Sequence, residues 1–195
     1  MNREQLAHVL RAASSIVTDR RILVIGSQSI LATYDEEELP VEATASIEVD
    51  LAFFDDDDET RADQVDGAIG ELSQFHETFG FYAQGVSVST AVLPNGWHDR
   101  VVPWSNSSTG SAAAAFLDPH DCVVSKLVAF RDKDRAFAAA LLRAGLVNAA
   151  TLRERIGALP DDVDARVAQA ILAWLAANDR ATPPLDGPGA ALEEL

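Results

Sequence analysis

The sequence has one cysteine, two lysines and no long apolar run. The lone Cys122 excludes a disulfide framework and a cysteine-only metal site. The histidines His8, His76, His98 and His120 stand at no metal-ligand spacing. Without some eighteen consecutive apolar residues, no membrane-spanning helix is expected. The stretch MNREQLAHVLRAASSIV lacks the basic start and continuous apolar centre of a signal peptide, so the expected location is cytoplasmic. Basic residues are scarce: 15 against 31 acidic ones, for a net charge of −16. That balance argues against a protein holding nucleic acid through a broad basic surface. There is no Walker pattern and no GxGxxG. Ser27, His98 and Asp99 have hydrolase chemistry but no nucleophile elbow.

What is present is enough for a core. A chain of 195 residues with 48% hydrophobic side chains suits one domain, or one domain with a helical extension. Its charge is unevenly placed. Asp35 to Glu59 holds twelve acids and no base, whereas Pro119 to Leu159 holds four acids and seven bases. Charge runs of this kind are ordinarily solvated loops and faces, and Glu36–Glu38 and Asp55–Asp58 read that way.

Apolar spacing predicts a helix over Arg3–Val17, a buried strand over Arg21–Gly26, and a short helix from Ser27 to Tyr34 with Ser27 as its cap. Ser46–Phe54 alternates as a strand, with Ile47, Val49, Leu51 and Phe53 on the buried side. A helix is expected over Thr60–Phe75, with Leu72 on its apolar stripe, and a strand over Val86–Leu93. Val101–Val102 begins another strand, Trp104–Gly110 reads as loop, and Ala112–Leu117 reads as strand. Asp118–Pro119 caps a helix running to Phe130. Helices follow over Asp132–Ala144, Ala149–Leu159 and Asp161–Asn178. The expected fold is α+β: a mixed α/β core over residues 1–117, a C-terminal helical unit over 118–179 and a mobile Pro/Gly-rich tail over 180–195.

Three features carry chemistry. Glu48 and Asp50 are two apart on one strand, so both carboxylates project from one face, roughly 7 Å apart. A hard divalent cation would offset their repulsion; a solvated sheet face would also accommodate them. Gly26-Ser27 ends a strand at a helix start, where free N–H groups and a hydroxyl suit a phosphate, or simply make a tight turn. Lys126 and Lys133 are the only lysines among thirteen arginines. Lys126 and Asp134 both fall toward the packed side of their helices, where a charge needs a partner or a ligand; a snorkelling lysine in a helical salt-bridge network is the other reading.

In this order, Gly26-Ser27, Glu48-Val-Asp50, Lys126 and Arg131-Asp132-Lys133-Asp134 resemble the nucleotidyltransferase superfamily typified by DNA polymerase beta. The closer likeness is to the AbiEii/MenT-like branch of bacterial toxin–antitoxin and phage-defence proteins. The resemblance covers about residues 20–145. It implies a nucleotidyltransferase-like mixed sheet with flanking helices. It also implies Mg²⁺ or Mn²⁺ held by Glu48 and Asp50, and a nucleoside triphosphate contacted by Gly26, Ser27, Lys126, Arg131 and Lys133. Glu48, Asp50, Lys126 and Asp134 then form the catalytic set. The sequence departs from the pattern in three places, the first being a gap between Ser27 and Glu48, with its acidic insert Asp35–Glu38, longer than in the minimal enzymes; the other two concern the acids. Glu48 stands where Asp is usual, and the strand expected at Val86–Leu93 has no third acid, which leaves Asp99 as the substitute metal ligand. The implied activity is metal-dependent transfer of a nucleotide to a macromolecular acceptor. The alternative is a degenerate member that acts as a nucleotide sensor or protein-partner module. A protein acceptor or partner fits the acidic chain better than tRNA does.

Overall fold

The computed structural model describes residues 1–17, 21–104 and 114–179. The tail over 180–195 and most of the stretch over Trp104–Gly110 lie outside the described residues. The architecture is α+β, a five-stranded mixed sheet flanked by helices.

Helix α1 (Arg3–Ile16) opens the chain, its N-terminus closed by a reciprocal capping box between Asn2 and Gln5. Its Leu6, Val9, Leu10 and Ala13 are buried at helical spacing. Strand β1 (Ile22–Ile25) is buried throughout and ends at Gly26. A 3₁₀ turn over Ser27–Ala32 follows. Gly26 occupies the cap position with φ of 77°, so Ser27 lies inside the turn and is not its cap. Within the expected loop a single helical turn forms, α2 (Val41–Thr44).

Strand β2 (Glu48–Phe53) shows the expected alternation over its first half, where Val49 and Leu51 are buried and Glu48 and Asp50 partly open. Ala52 and Phe53 are both buried, because that end of the strand is covered on its two faces. Ile47 was expected in the core but lies ahead of the strand and is 50% exposed.

The acidic segment after β2 is only partly a solvated loop. The Asp56 carboxylate accepts the backbone N–H groups of Arg61 and Ala62 at 3.1 and 3.0 Å, which caps helix α3 (Thr60–Ile69). The single helix expected over Thr60–Phe75 is divided. α3 stops at Gly70, Leu72 adopts φ of 62° and is 82% exposed, and Ser73 caps a new helix, α4 (Gln74–Phe79).

Strand β3 (Tyr82–Gly85) pairs parallel with β2, in register Glu48 with Tyr82 and Asp50 with Gln84. The strand expected at Val86–Leu93 is therefore displaced upstream. Val86 donates a last backbone bond to Leu51, after which Ser87 caps a 3₁₀ turn over Val88–Thr90. Gly85 has a packing reason: a Cβ there would meet the Ala62 carbonyl oxygen at 1.9 Å, so glycine lets α3 lie against β3.

Strands β4 (Val102–Trp104) and β5 (Ala114–Phe116) complete the sheet in the order β3-β2-β1-β5-β4. β1 runs antiparallel to β2 and parallel to β5. Helices α5 (Pro119–Ala129), α6 (Asp132–Arg143) and α7 (Ala149–Gly157) follow close to the expected places, and α8 (Ala165–Asp179) starts four residues later than the expected Asp161, which lies in a turn. Buried Asp121 on α5 joins Arg100, at 2.8 and 3.1 Å, to Arg155 of α7 at 3.3 Å. This cluster fixes the 3₁₀ turn Trp97–Arg100 against the helices. No helix among the described residues is long and apolar enough to cross a membrane.

Candidate active site

One wall of the site comes from the sheet. The β1–β2 register sets Ile25 opposite Asp50, so the turn after β1 lies beside the middle of β2. At Gly26 a Cβ would stand 2.0 Å from Asp50 Oδ2. Only glycine allows this carboxylate to rest against the turn, and its positive φ disfavours other residues as well. The Gly26 carbonyl accepts hydrogen bonds from Ser29 Oγ at 2.8 Å and Cys122 Sγ at 3.0 Å, which hold the turn in place.

Glu48 and Asp50 project from the same face of β2, near enough that a protonated Asp50 can donate a hydrogen bond to Glu48. Burial, then the charge of Glu48, pushes the Asp50 carboxyl up to about 6, while Lys126 and Lys133 across the cleft pull it partly back. Tyr82 donates its phenolic O–H to Glu48 Oε2 at 2.9 Å. Burial and that carboxylate raise the Tyr82 phenol above its ordinary value. Gln84, in register with Asp50, opens into the cleft.

The opposite wall comes from α5 and α6. Asp118 Oδ1 accepts the N–H groups of His120 and Asp121 at 2.9 and 3.3 Å, which anchors the start of α5. Phe130, at φ of 54°, ends α5 and turns the chain directly into α6. The two helices therefore pack together, and Asp134 of α6 lies beside Lys126 of α5. Lys126 Nζ is 3.6 Å from Asp134 Oδ1 and sits over the Phe137 ring at 5.3 Å. Arg131 Nε lies 2.6 Å from Asp134 Oδ2, and the Asp134 side chain is only 1% exposed. Asp134 is thus a buried anchor that orients two cations. Arg131 is raised by Asp134, and further by Asp50 and Glu48 across the cleft.

Between the walls lies a cleft of about 720 Å³, a size suited to a small-molecule site. Gly26, Ser27, Glu48, Asp50, Lys126, Arg131, Lys133 and Asp134 all line it. Asp99 does not join them. It is exposed on the Trp97–Arg100 turn, a position set by the Arg100–Asp121 pair. Among the described residues no group of three His, Cys, Asp or Glu is placed to hold a metal. The residues that could hold a hard cation are Glu48 and Asp50, with the Gln84 amide oxygen as a neutral neighbour. A second cavity of about 610 Å³ shares the wall formed by Ala91, Val92 and Val128, and is lined by Trp97 and His98.

Sequence reasoning missed Tyr82, Gln84 and Ser125, which belong to or support the cleft. Ser125 could have been found as the neighbour of Lys126. Tyr82 and Gln84 lie on a four-residue strand whose own pattern is weak beside the alternation that follows it.

No curated protein and no solved structure matches the chain significantly. A family model described as a nucleotidyltransferase of unknown function, DUF6036, matches residues 4–174. This match spans the whole sheet, both walls of the cleft and the first two thirds of α8. The chain belongs to that nucleotidyltransferase family.

Proposed function

We propose that the cleft binds a nucleoside triphosphate with Mg²⁺ or Mn²⁺ and transfers its nucleotide to a hydroxyl of a macromolecular acceptor. One observation carries this reading. Two carboxylates in close contact face a lysine held by a buried aspartate, across a cleft of about 720 Å³ with a Gly-Ser turn on its sheet side. The donor set fits a hard divalent cation. Glu48 and Asp50 offer oxygens in a site where burial, and then the charge of Glu48, holds Asp50 near 6, and a cation would offset both.

The bond formed joins the acceptor oxygen to the α-phosphorus. The bond broken is the α–β phosphoanhydride, pyrophosphate carries away the electron pair, and the proton of the acceptor hydroxyl is released to solvent. The metal, when bound, would polarise the phosphoryl oxygens and neutralise developing charge. Lys126, Arg131 and Lys133 would meet the β- and γ-phosphates, and the Ser27 hydroxyl with the turn's N–H groups would contact phosphate oxygens. Asp134 would act indirectly, by holding Lys126 and Arg131 toward the cleft.

Lys126 and the Arg131–Asp134 segment support membership of the AbiEii/MenT-like branch, and with it a role in a bacterial toxin–antitoxin or phage-defence pair in the cytoplasm. The acidic surface favours a protein acceptor or partner over tRNA. The test is transfer of label from an α-labelled NTP to an acceptor with Mg²⁺ or Mn²⁺. Label should appear with the unaltered chain and vanish with Asp50→Ala; transfer that survives this change refutes the assignment.

A second reading has its own observation. Gln84, not an acid, stands in register with Asp50 on the neighbouring strand. A cleft with two carboxylates and a neutral amide suits one cation, and a nucleotide sensor without transfer would need no more. Metal-dependent NTP binding without any transfer would favour it.

A further inference from the structure

Tyr82 has no place in the roles above, yet it donates a hydrogen bond to the side chain of the longer acid. It is buried on β3, in register with Glu48 of β2, and its hydroxyl donates to Glu48 Oε2 at 2.9 Å. Its ring packs against His76 at 4.6 Å between centroids. His76 is itself held, because its Nδ1 accepts the Leu72 N–H at 3.1 Å at the start of α4. The phenol is therefore fixed by a strand and a helix, and not by a loop.

Glu48 needs such a partner. A glutamate has one more rotatable bond than an aspartate, so its carboxylate wanders unless something holds it. Asp50, by contrast, is placed by the Gly26 turn. We infer that Tyr82 is a positioning residue: its hydroxyl engages Glu48 Oε2 and thereby presents the remaining oxygen, next to Asp50, to a divalent cation. This inference rests on the metal-binding reading above. It accounts for a glutamate at this position, since the shorter arm of aspartate would not reach the phenol in the same way. Tyr82 touches neither the cation nor the nucleotide.

The experiment is Mn²⁺ titration of the full chain, followed by electron paramagnetic resonance, for the unaltered protein and for Asp50→Asn, Tyr82→Phe, Glu48→Asp and Glu48→Asp/Tyr82→Phe. Removing an outer partner of a metal ligand costs about 10- to 100-fold in affinity, so Tyr82→Phe should bind Mn²⁺ that much more weakly. Its metal-free melting temperature should stay near that of the unaltered chain, because the ring is kept. On the Glu48→Asp background the same change should alter affinity less than about twofold, since the pair is already broken. A Tyr82→Phe chain that binds Mn²⁺ as tightly as the unaltered one, while Asp50→Asn does not bind, overturns the inference and leaves the metal site standing. No saturable Mn²⁺ binding by the unaltered chain, or binding undiminished in Asp50→Asn, overturns the metal site and the inference with it. A measurement that keeps Tyr82 guards against a misfolded variant. In a Tyr34→Phe chain, Mg²⁺ titration should perturb the tyrosine ultraviolet spectrum and saturate with binding; a spectrum unchanged at saturating Mg²⁺ overturns the inference.

Discussion

The two walls of the cleft handle their charges in opposite ways. On the helical wall, the buried Asp134 pairs with both Lys126 and Arg131, so these cations are held in place before any ligand arrives while the wall keeps a net positive charge. On the sheet wall, Glu48 and Asp50 lie close together with Tyr82 as their one side-chain donor among the described residues, and the Asp50 carboxyl is raised to about 6. One wall is an ion-pair cluster already ordered, with positive charge left over. The other is a set of acceptors that becomes comfortable only when a cation arrives. In this protein the surplus of acid is local tension at one strand, and the basic residues opposite it are organised in advance.

The comparison breaks most clearly at Asp50. Asp50→Asn should lower nucleotide transfer by at least about 100-fold, by the loss of a metal ligand. In the metal-free protein it should stabilise the fold, because it removes a buried charge and its repulsion with Glu48. A carboxyl raised in the folded state binds more protons there than in the unfolded chain, so stability falls as pH rises from about 4 to about 6 and stays low above that. The amide should recover about 1–3 kcal/mol at pH 7–8, read by chemical denaturation with chelator present. An Asp50→Asn chain less stable than the original would show that the sheet wall carries no tension.

Gly26→Ala should act on both properties in the same direction. The added methyl must move Asp50 Oδ2 and adopt a disfavoured positive φ, so a loss of about 2 kcal/mol or more and weaker metal binding are expected in thermal melts and Mn²⁺ titration. Asp134→Asn probes the other wall. It leaves Lys126 without its buried counter-charge and should cost about 2–3 kcal/mol, with nucleotide affinity reduced but Mn²⁺ affinity nearly unchanged. Equal damage to Mn²⁺ binding would mean that the walls are not independent.

Two smaller effects sharpen the contrast. Mn²⁺ affinity should climb about tenfold per pH unit below 6 and level off above it, since the cation must displace the Asp50 proton. Gln84→Glu adds a third carboxylate in register with Asp50 and should raise Mn²⁺ affinity or stoichiometry a few-fold in the same titration.

Much of this was legible because it depends on neighbours in sequence. β1 and its terminal glycine, the alternation of Val49 and Leu51 around Asp50, and the Asp118-Pro119 start of α5 are local signals, and they appear where expected. The acidic pair and the Lys126–Asp134 region are local as well. What brings them into one cleft is not local. It needs the antiparallel β1–β2 register and the sharp turn at Phe130, a residue whose left-handed backbone nothing in its neighbourhood announces. The third strand was misplaced for a similar reason. Tyr82–Gly85 is selected by pairing with β2 and by room for α3 at Gly85, whereas Val86–Leu93 alternates well but finds no strand partner beyond Leu51 among the described residues. Thr60–Phe75 read as one helix because apolar spacing continues across Gly70, and the break follows from the Gly70 stop and the Ser73 cap. Asp56 looked like one charge among many until its contacts with Arg61 and Ala62 set it apart as a cap.

The contact between the Gly26 turn and Asp50 has a consequence for how the site comes into being. Ile25 and Asp50 face each other only in one alignment of two antiparallel strands, and a slip of one residue would turn both carboxylates toward the opposite face of the sheet. The cleft therefore has no acidic half until the centre of the sheet has closed correctly. Tight cation binding would then certify correct strand pairing, and a cation present during refolding would favour the properly aligned chain over its slipped competitors.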